Sequence, residues 1–140
     1  HVFGGDHLVP ESVWGALEVT RENVAHVLAD KVEAGRFTET LLELTGLRRF
    51  FGVVVSGDTV ERRKPHPDPM LYAAGKLGAS PAETLVVGDS LNDVQSARAA
   101  GCAVVVVPYG YREGLSLEDL GADAVVASVE EAARSITMVP

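Results

Sequence analysis

Five short apolar runs rich in valine alternate with segments of helical periodicity, and this alternation constrains the fold of the chain most strongly. The runs cover residues 24–29, 53–55, 84–87, 103–107 and 124–127. Each run is continuously apolar, which is typical of parallel strands that are buried on both faces. We therefore predict an α/β fold, a doubly wound (Rossmann-like) parallel sheet with helices on both faces and right-handed crossovers.

Four helices are predicted from apolar stripes and from residues that favour helix ends. The stripes of the first two helices are Phe37, Leu41 and Leu44, followed by Leu71, Ala74 and Leu77. The residues that mark helix ends are Gly46, Pro67, Gly78, Gly101 and Ser128. Glycine favours the position after a helix, whereas proline and serine favour its start. The third helix is expected over residues 91–100, and the fourth begins after Ser128.

Length and charge limit the classes of function. A chain of 140 residues has room for one domain with a real core. Its net charge of −8 repels polyanions, and the densest basic cluster, residues 62–64, suits one small anion better than a nucleic acid. The single cysteine, Cys102, lies among apolar residues, and no apolar run is long enough to span a membrane. We predict a cytoplasmic protein with a buried thiol and with neither nucleic acid nor membrane as a partner.

Two carboxylates flank the predicted start of the third helix. Asp89 follows the strand at 84–87, and Asp93 comes about one helical turn later, so both can face one point above the sheet edge. Ligands of doubly wound sheets bind at this edge. Mg²⁺ prefers carboxylate oxygens together with waters and a substrate phosphate. The pair predicts a magnesium site, and the alternative is that Ser90 or Asp89 only caps the helix.

Lys64 follows the strand at 53–55 after a loop and immediately precedes Pro65-His66-Pro67. The prolines on both sides of His66 stiffen the chain. A lysine held there can offer a fixed positive charge to a phosphoryl group as negative charge spreads over its oxygens. The alternative is a solvated loop lysine.

These motifs, taken together, resemble the haloacid dehalogenase superfamily and, within it, the phosphoglycolate phosphatase branch. The matching stretches are Ser56-Gly57-Asp58, Lys64-Pro65-His66-Pro67-Asp68-Pro69, Val86-Val87-Gly88-Asp89-Ser90 with Asp93, and Ala97 with Ala100-Gly101. The resemblance covers residues 33–129. It implies a magnesium-dependent phosphatase that acts on a small phosphorylated metabolite, such as phosphoglycolate, through an aspartyl phosphate. In that family Lys64 would steady the nucleophile and the phosphate, Gly88 would shape the substrate-binding loop, and Asp89 and Asp93 would hold Mg²⁺.

Residues 1–32 depart from the family pattern. Relatives carry an aspartate nucleophile and, two residues later, an aspartate acid/base at the end of the first strand. In the nearest match here, Gly4 occupies the nucleophile position and Asp6 the acid/base position. A glycine cannot attack phosphorus, and Asp6 can equally be a turn residue beside two glycines. Where relatives bind phosphate through a hydroxyl, this chain has Ala29, and Asp30 adds negative charge.

Two explanations of these departures remain open. The chain is either a fragment or altered form of a normal phosphatase, which the pattern favours, or an inactive domain that kept phosphate or metal binding. We expect one core domain over residues 1–140, incomplete and without a cap, because residues 7–23 are too few for the helical cap of relatives. A third interpretation is a signalling receiver domain phosphorylated at Asp58, although the proline-flanked Lys64 fits it poorly. The substrate and the oligomeric state do not follow from the sequence.

Overall fold

The computed structural model describes residues 2–4, 24–27, 35–110 and 114–137, which form a six-stranded sheet flanked by helices. The strands are β1 (Val2–Gly4), β2 (Val24–Val27), β3 (Val53–Val55), β4 (Thr84–Gly88), β5 (Ala103–Val106) and β6 (Ala124–Val125). The helices are α1 (Gly35–Leu44), α2 (Asp68–Lys76), α3 (Leu91–Ala100) and α4 (Val129–Thr137). All five predicted strands and all four predicted helices are present.

The strand order is β3-β2-β1-β4-β5-β6. β2 pairs with β3 in parallel, and so do β4 with β5 and β5 with β6. β1 lies between β2 and β4 and runs antiparallel to both, so that β2 and β4 point the same way. The doubly wound α/β class is thus confirmed, with one central antiparallel strand that the valine runs did not predict.

The continuous valine runs bury residues on both faces of the sheet. On one face Val86 and Val104 pack in a cluster with Met70 of α2 and with residues of α3. On the other face Leu85 and other strand residues pack with Ala132 of α4. Full burial of one such aliphatic side chain stabilises the fold by about 1.5–3 kcal/mol. The two clusters explain why these strands show no alternation of apolar and polar residues.

The buried faces of α1 and α2 differ from the predicted stripes. In α1 Leu42 is buried, whereas Leu41 and Leu44 are 49% and 81% exposed. In α2 Met70 is buried and Leu71 is exposed. The prediction was therefore wrong for these three leucines, although both helices exist. Neighbouring apolar positions lie about 100° apart on a helix, so periodicity alone does not decide which of them faces the sheet.

The helix ends lie where the sequence predicts them. α3 ends at Gly101, which adopts the left-handed conformation with φ of 81° and donates its amide to the carbonyls of Ala97 and Arg98. α4 begins after Ser128, whose Oγ accepts the amide of Glu131 at 3.0 Å. The Glu131 carboxylate in turn accepts the amide of Ala127 at 2.6 Å. These contacts satisfy backbone groups that a helix end would otherwise leave unpaired.

The single cysteine lies in the core. Cys102 is buried, as predicted, and burial raises the pKa of its thiol to about 11. A thiol with such a pKa stays protonated near neutral pH and is a poor nucleophile.

Within the described residues, no helix combines the length and the apolar character that crossing a bilayer requires.

Candidate functional site

The turn between β4 and α3 is built around Asp93. Ser90, the N-cap of α3, has an extended backbone, and its Oγ accepts the Asp93 amide at 3.4 Å. In return, Oδ2 of Asp93 accepts the amides of Asp89 at 3.0 Å and Ser90 at 3.1 Å, and the Ser90 hydroxyl at 2.9 Å. This is a reciprocal capping arrangement. Capping by Ser90 is therefore real, and it ties the start of the helix to the tip of β4.

Gly88, the last residue of β4, makes room for Asp93. A Cβ atom on Gly88 would lie 2.4 Å from Cβ of Asp93 and 2.9 Å from its Oδ2. Such a side chain would displace Asp93 from the turn, so glycine permits the close approach. The contact gives a physical reason for the glycine in the Gly88-Asp89-Ser90 motif. The role of Gly88 in a substrate-binding loop stays a prediction.

Lys64 reaches the same turn from the loop between β3 and α2. Its Nζ lies 2.5 Å from Oδ1 of Asp93, and the two side chains are only 9% and 8% exposed. Because β3 and β4 point the same way, this loop and the β4–α3 turn share the carboxyl edge of the sheet. The sequence prediction that Lys64, Asp89 and Asp93 lie together is met by the geometry: Asp93 bonds to both of the others.

Two contacts hold the proline-rich loop that carries Lys64. The carbonyl of His66 accepts the hydroxyl of Ser96, a buried residue of α3, at 2.6 Å. Arg62 forms an ion pair with Asp68 at the start of α2, with 3.0 Å between NH2 and Oδ1. Sequence reasoning missed Ser96, since a small polar residue on a helix gives no signal of its distant partner. Arg62 therefore has an acidic partner close to it in the chain.

The two carboxylates have opposite pKa shifts. Partial burial raises the pKa of Asp89, and the nearby negative charge of Asp93 raises it further. Burial alone would also raise the pKa of Asp93, but Lys64 and the hydrogen bonds to Oδ2 outweigh burial and lower it to about 2. At neutral pH Asp93 is therefore a firmly charged carboxylate. Asp89 is the carboxylate that would gain most from a nearby cation.

The turn fits a hard cation on the basis of its oxygen donors. Within the described residues, no hydrogen bond is donated to the Asp89 carboxylate, whose residue is exposed, whereas both oxygens of Asp93 already accept bonds. No cluster of three or more His, Cys, Asp or Glu side chains suitable for a metal occurs in the described part of the chain. Mg²⁺ needs no such cluster, because it commonly binds through one or two carboxylates and completes its shell with waters and phosphate.

The remaining predicted site residues lie elsewhere or outside the described residues. Gly4 pairs with Thr84, at the opposite end of β4 from Asp89. This follows from the antiparallel direction of β1, and it removes the backbone of Gly4 from the edge that carries Lys64. Asp6, Ala29 and Asp30 fall outside the described residues, so their predicted roles stay predictions.

Comparison with known proteins gives the family of this arrangement. Residues 31–107 match the family model described as haloacid dehalogenase-like hydrolase. The phosphoglycolate phosphatase of Thiobacillus denitrificans is 50% identical over 112 residues, which cover 80% of this chain and 49% of that protein. The phosphoglycolate phosphatase of Escherichia coli K12 is 42% identical over 95 residues, or 68% of this chain and 38% of that protein. The chain thus spans less than half the length of these relatives.

Solved structures agree with the sequence matches. The crystal structure of a predicted phosphoglycolate phosphatase from Haemophilus somnus is 32% identical with a TM-score of 0.66, covering 78% of this chain and 46% of that one. The structure of CbbY from Rhodobacter sphaeroides in complex with phosphate is 28% identical with a TM-score of 0.59, covering 76% and 46%. The family match excludes the receiver-domain interpretation. By fold, by site motif and by sequence, the chain belongs to the haloacid dehalogenase-like hydrolases.

Proposed function

We propose that this chain carries the magnesium- and phosphate-binding part of a phosphatase active site, and that the protein hydrolyses a small phosphomonoester in the cytoplasm. Phosphoglycolate is the first substrate to test, because relatives with 42–50% identity are phosphoglycolate phosphatases. One observation carries the proposal: the buried contact between Lys64 and Asp93, next to the carboxyl group of Asp89. This contact supports a site with two adjoining positions, one for an anion and one for a cation.

In this proposal Asp89 would hold Mg²⁺ directly. Asp93 would contribute through a water, because its Oδ1 is bonded to Lys64 and its Oδ2 accepts three hydrogen bonds. A bound cation would neutralise charge on the phosphate and would offset the burial and the repulsion by Asp93 that raise the pKa of Asp89. Asp93 therefore acts mainly as the residue that fixes the positions of Lys64 and of the strand tip.

Lys64 supplies the positive charge on the phosphate side. An ammonium group has three N–H donors, and its bond to Asp93 uses one of them. The other two can donate to phosphate oxygens. Because Lys64 is largely buried, its charge is screened less by water than that of a surface lysine. Preorganised charge of this kind stabilises the transition state of phosphoryl transfer.

The nucleophile is the open part of the mechanism. Attack through an aspartyl phosphate, as in the family, needs a carboxylate that neither pairs with Lys64 nor binds the metal. Within the described β4–α3 turn, Asp93 and Asp89 already have those two tasks. Asp6 lies outside the described residues, and the sequence aligns it with the acid/base of the family rather than with the nucleophile, whose position is occupied by Gly4. The second candidate function follows from this gap: a domain that binds Mg²⁺ and phosphate without turnover.

Phosphate release from 2-phosphoglycolate, measured with and without Mg²⁺, separates the two functions. We expect turnover that requires Mg²⁺. Asp89→Asn should lower the turnover rate at least about 100-fold, because it replaces a charged carboxylate of the proposed metal site by a neutral amide and so removes transition-state stabilisation. Glu43→Gln, which removes an exposed carboxylate on α1, is the matched control and should retain full activity. Binding of Mg²⁺ without turnover would favour the binding domain. Neither binding nor turnover would contradict both.

A further inference from the structure

The loop that follows β5 packs directly on Asp89. A Cβ atom placed on Gly110 would lie 2.1 Å from the carbonyl oxygen of Asp89 and 2.5 Å from its Cγ. Both distances are far below van der Waals contact, so any side chain at Gly110 would have to displace Asp89 or the loop. The backbone of residue 110 therefore covers one side of the proposed metal ligand.

Hydrogen bonds restrain Asp89 and the start of the loop that carries Gly110. The amide of Val107, a buried residue at the start of the loop, donates to the carbonyl of Gly88 at 2.9 Å. The Asp89 amide donates to Asp93 Oδ2 at 3.0 Å. The start of the loop is thus bonded to the tip of β4, and Asp89 is bonded to the β4–α3 turn. A methyl group at Gly110 would push on the carbonyl and the carboxyl group of Asp89 rather than move into free space.

The Asp89 carboxyl group has a side-chain hydrogen bond with Asp93, and a bond between two carboxyl groups requires a proton on one of them. An ionised Asp89 beside a cation loses that bond, and within the described residues no other hydrogen bond is donated to its carboxylate. Packing against Gly110 is then a contact that still limits where the ionised Asp89 carboxylate can point. Groups that orient a metal ligand typically change metal affinity by 10–100-fold when they are altered.

We propose that Gly110 is a positioning residue for the metal site, acting through Asp89. The loop 108–110 holds the Asp89 carboxylate in the orientation that receives Mg²⁺, and the absence of a side chain at Gly110 is what allows the loop to lie so close. This inference rests on the proposed function, because it assumes that Asp89 binds the metal.

Binding of Mn²⁺ in the absence of substrate tests the inference. Electron paramagnetic resonance of the free ion measures the binding. We expect Gly110→Ala to weaken Mn²⁺ binding at least about 10-fold. Gly75→Ala is the matched control, because an added Cβ at Gly75 in α2 meets nothing within 4 Å. Urea unfolding of the metal-free variants checks that each is folded, and amide exchange at Asp89 reports whether its bond to Asp93 is weakened.

A second variant keeps the test decisive if Gly110→Ala does not fold. Pro108→Gly adds no atoms to the contact but loosens the loop, and we expect it to weaken Mn²⁺ binding at least about threefold. Mn²⁺ binding unchanged in Gly110→Ala, or in Pro108→Gly where the first variant is unfolded, would overturn the inference. Failure of the wild-type protein to bind Mn²⁺ would instead contradict the proposed function itself.

Discussion

Asp93 performs two structural tasks with two oxygens. Oδ1 pairs with Lys64, which is 29 residues away in sequence, and Oδ2 caps α3 and holds the tip of β4. Each oxygen of the carboxylate thus serves one of the two tasks. The result is that a cation from one loop, a helix start and the neighbouring Asp89 are fixed relative to each other by a single side chain.

Replacing Lys64 tests this arrangement through stability. Lys64→Met should lower the free energy of unfolding by about 3 kcal/mol, because it leaves the Asp93 charge buried without its cation. Arg63→Met is the control: the neighbouring arginine is exposed, so its loss should change stability by less than about 0.5 kcal/mol. Urea unfolding at pH 7 without added metal measures both. Equal losses would mean that the ion pair contributes little.

Much of the site could be predicted residue by residue, but its internal contacts could not. Lys64, Asp89 and Asp93 follow strands of a parallel sheet, and the carboxyl ends of such strands share one edge. Spacing along the chain does not say which oxygen of Asp93 meets which donor, since that depends on side chains brought together by the fold. Gly110 escaped prediction for the same reason: its contact with Asp89 lies between two different β-α loops.

At the scale of the elements, the end of α3 offers a prediction that separates backbone strain from packing. Gly101 has φ of 81°, and the nearest atom to an added Cβ is Cβ of Pro81 at 3.9 Å. Gly101→Ala should therefore cost about 1 kcal/mol from left-handed strain alone. Gly75→Ala, in the interior of α2, should instead stabilise by about 0.5–1 kcal/mol. Thermal unfolding of the two variants should shift in opposite directions, and equal shifts would contradict this explanation.

Prediction from sequence succeeded best for the strands that are covered on both faces. The valine runs indicated β4 and β5 almost to the residue, because each of these strands contributes residues to both core clusters. β1 has three residues and an antiparallel direction, and neither property has a signature in so short a segment. The buried stripe of α2 was misplaced by one position at Met70 because Leu71 is equally apolar, and only tertiary packing distinguishes them.

At the scale of the whole molecule, the pKa of Asp93 predicts acid sensitivity. A carboxyl with a folded pKa of about 2 and an ordinary pKa of 3.8 binds its proton more readily when unfolded. Its contribution, about 2 kcal/mol, is complete above pH 5 and is lost as the pH falls toward 2. The raised pKa of Asp89 acts in the opposite direction, since its contribution is lost as the pH rises.

Urea unfolding of the metal-free protein between pH 7 and pH 2.5 measures this effect. We expect the free energy of unfolding to fall with decreasing pH, and to fall less steeply in Asp93→Asn, which has no carboxyl to protonate at this position. The slope rather than the absolute stability is compared, because the substitution also weakens the Lys64 contact. Parallel slopes for the two proteins would show that acid sensitivity has another source.

The central position of β1 has a mechanical consequence for the sheet. β2 and β3 form one ribbon and β4, β5 and β6 another, and β1 is the strand that joins them, through pairs such as Val2 with Ala25 and Val2 with Val86. A two-stranded ribbon is marginally stable by itself, so β2 and β3 depend on their pairing with the three-residue strand β1 and on the packing of α2. Partial unfolding should begin where β1 pairs with β2. The β2–β3 ribbon would then detach while β4, β5 and β6, with Asp89 directly after β4, stay folded.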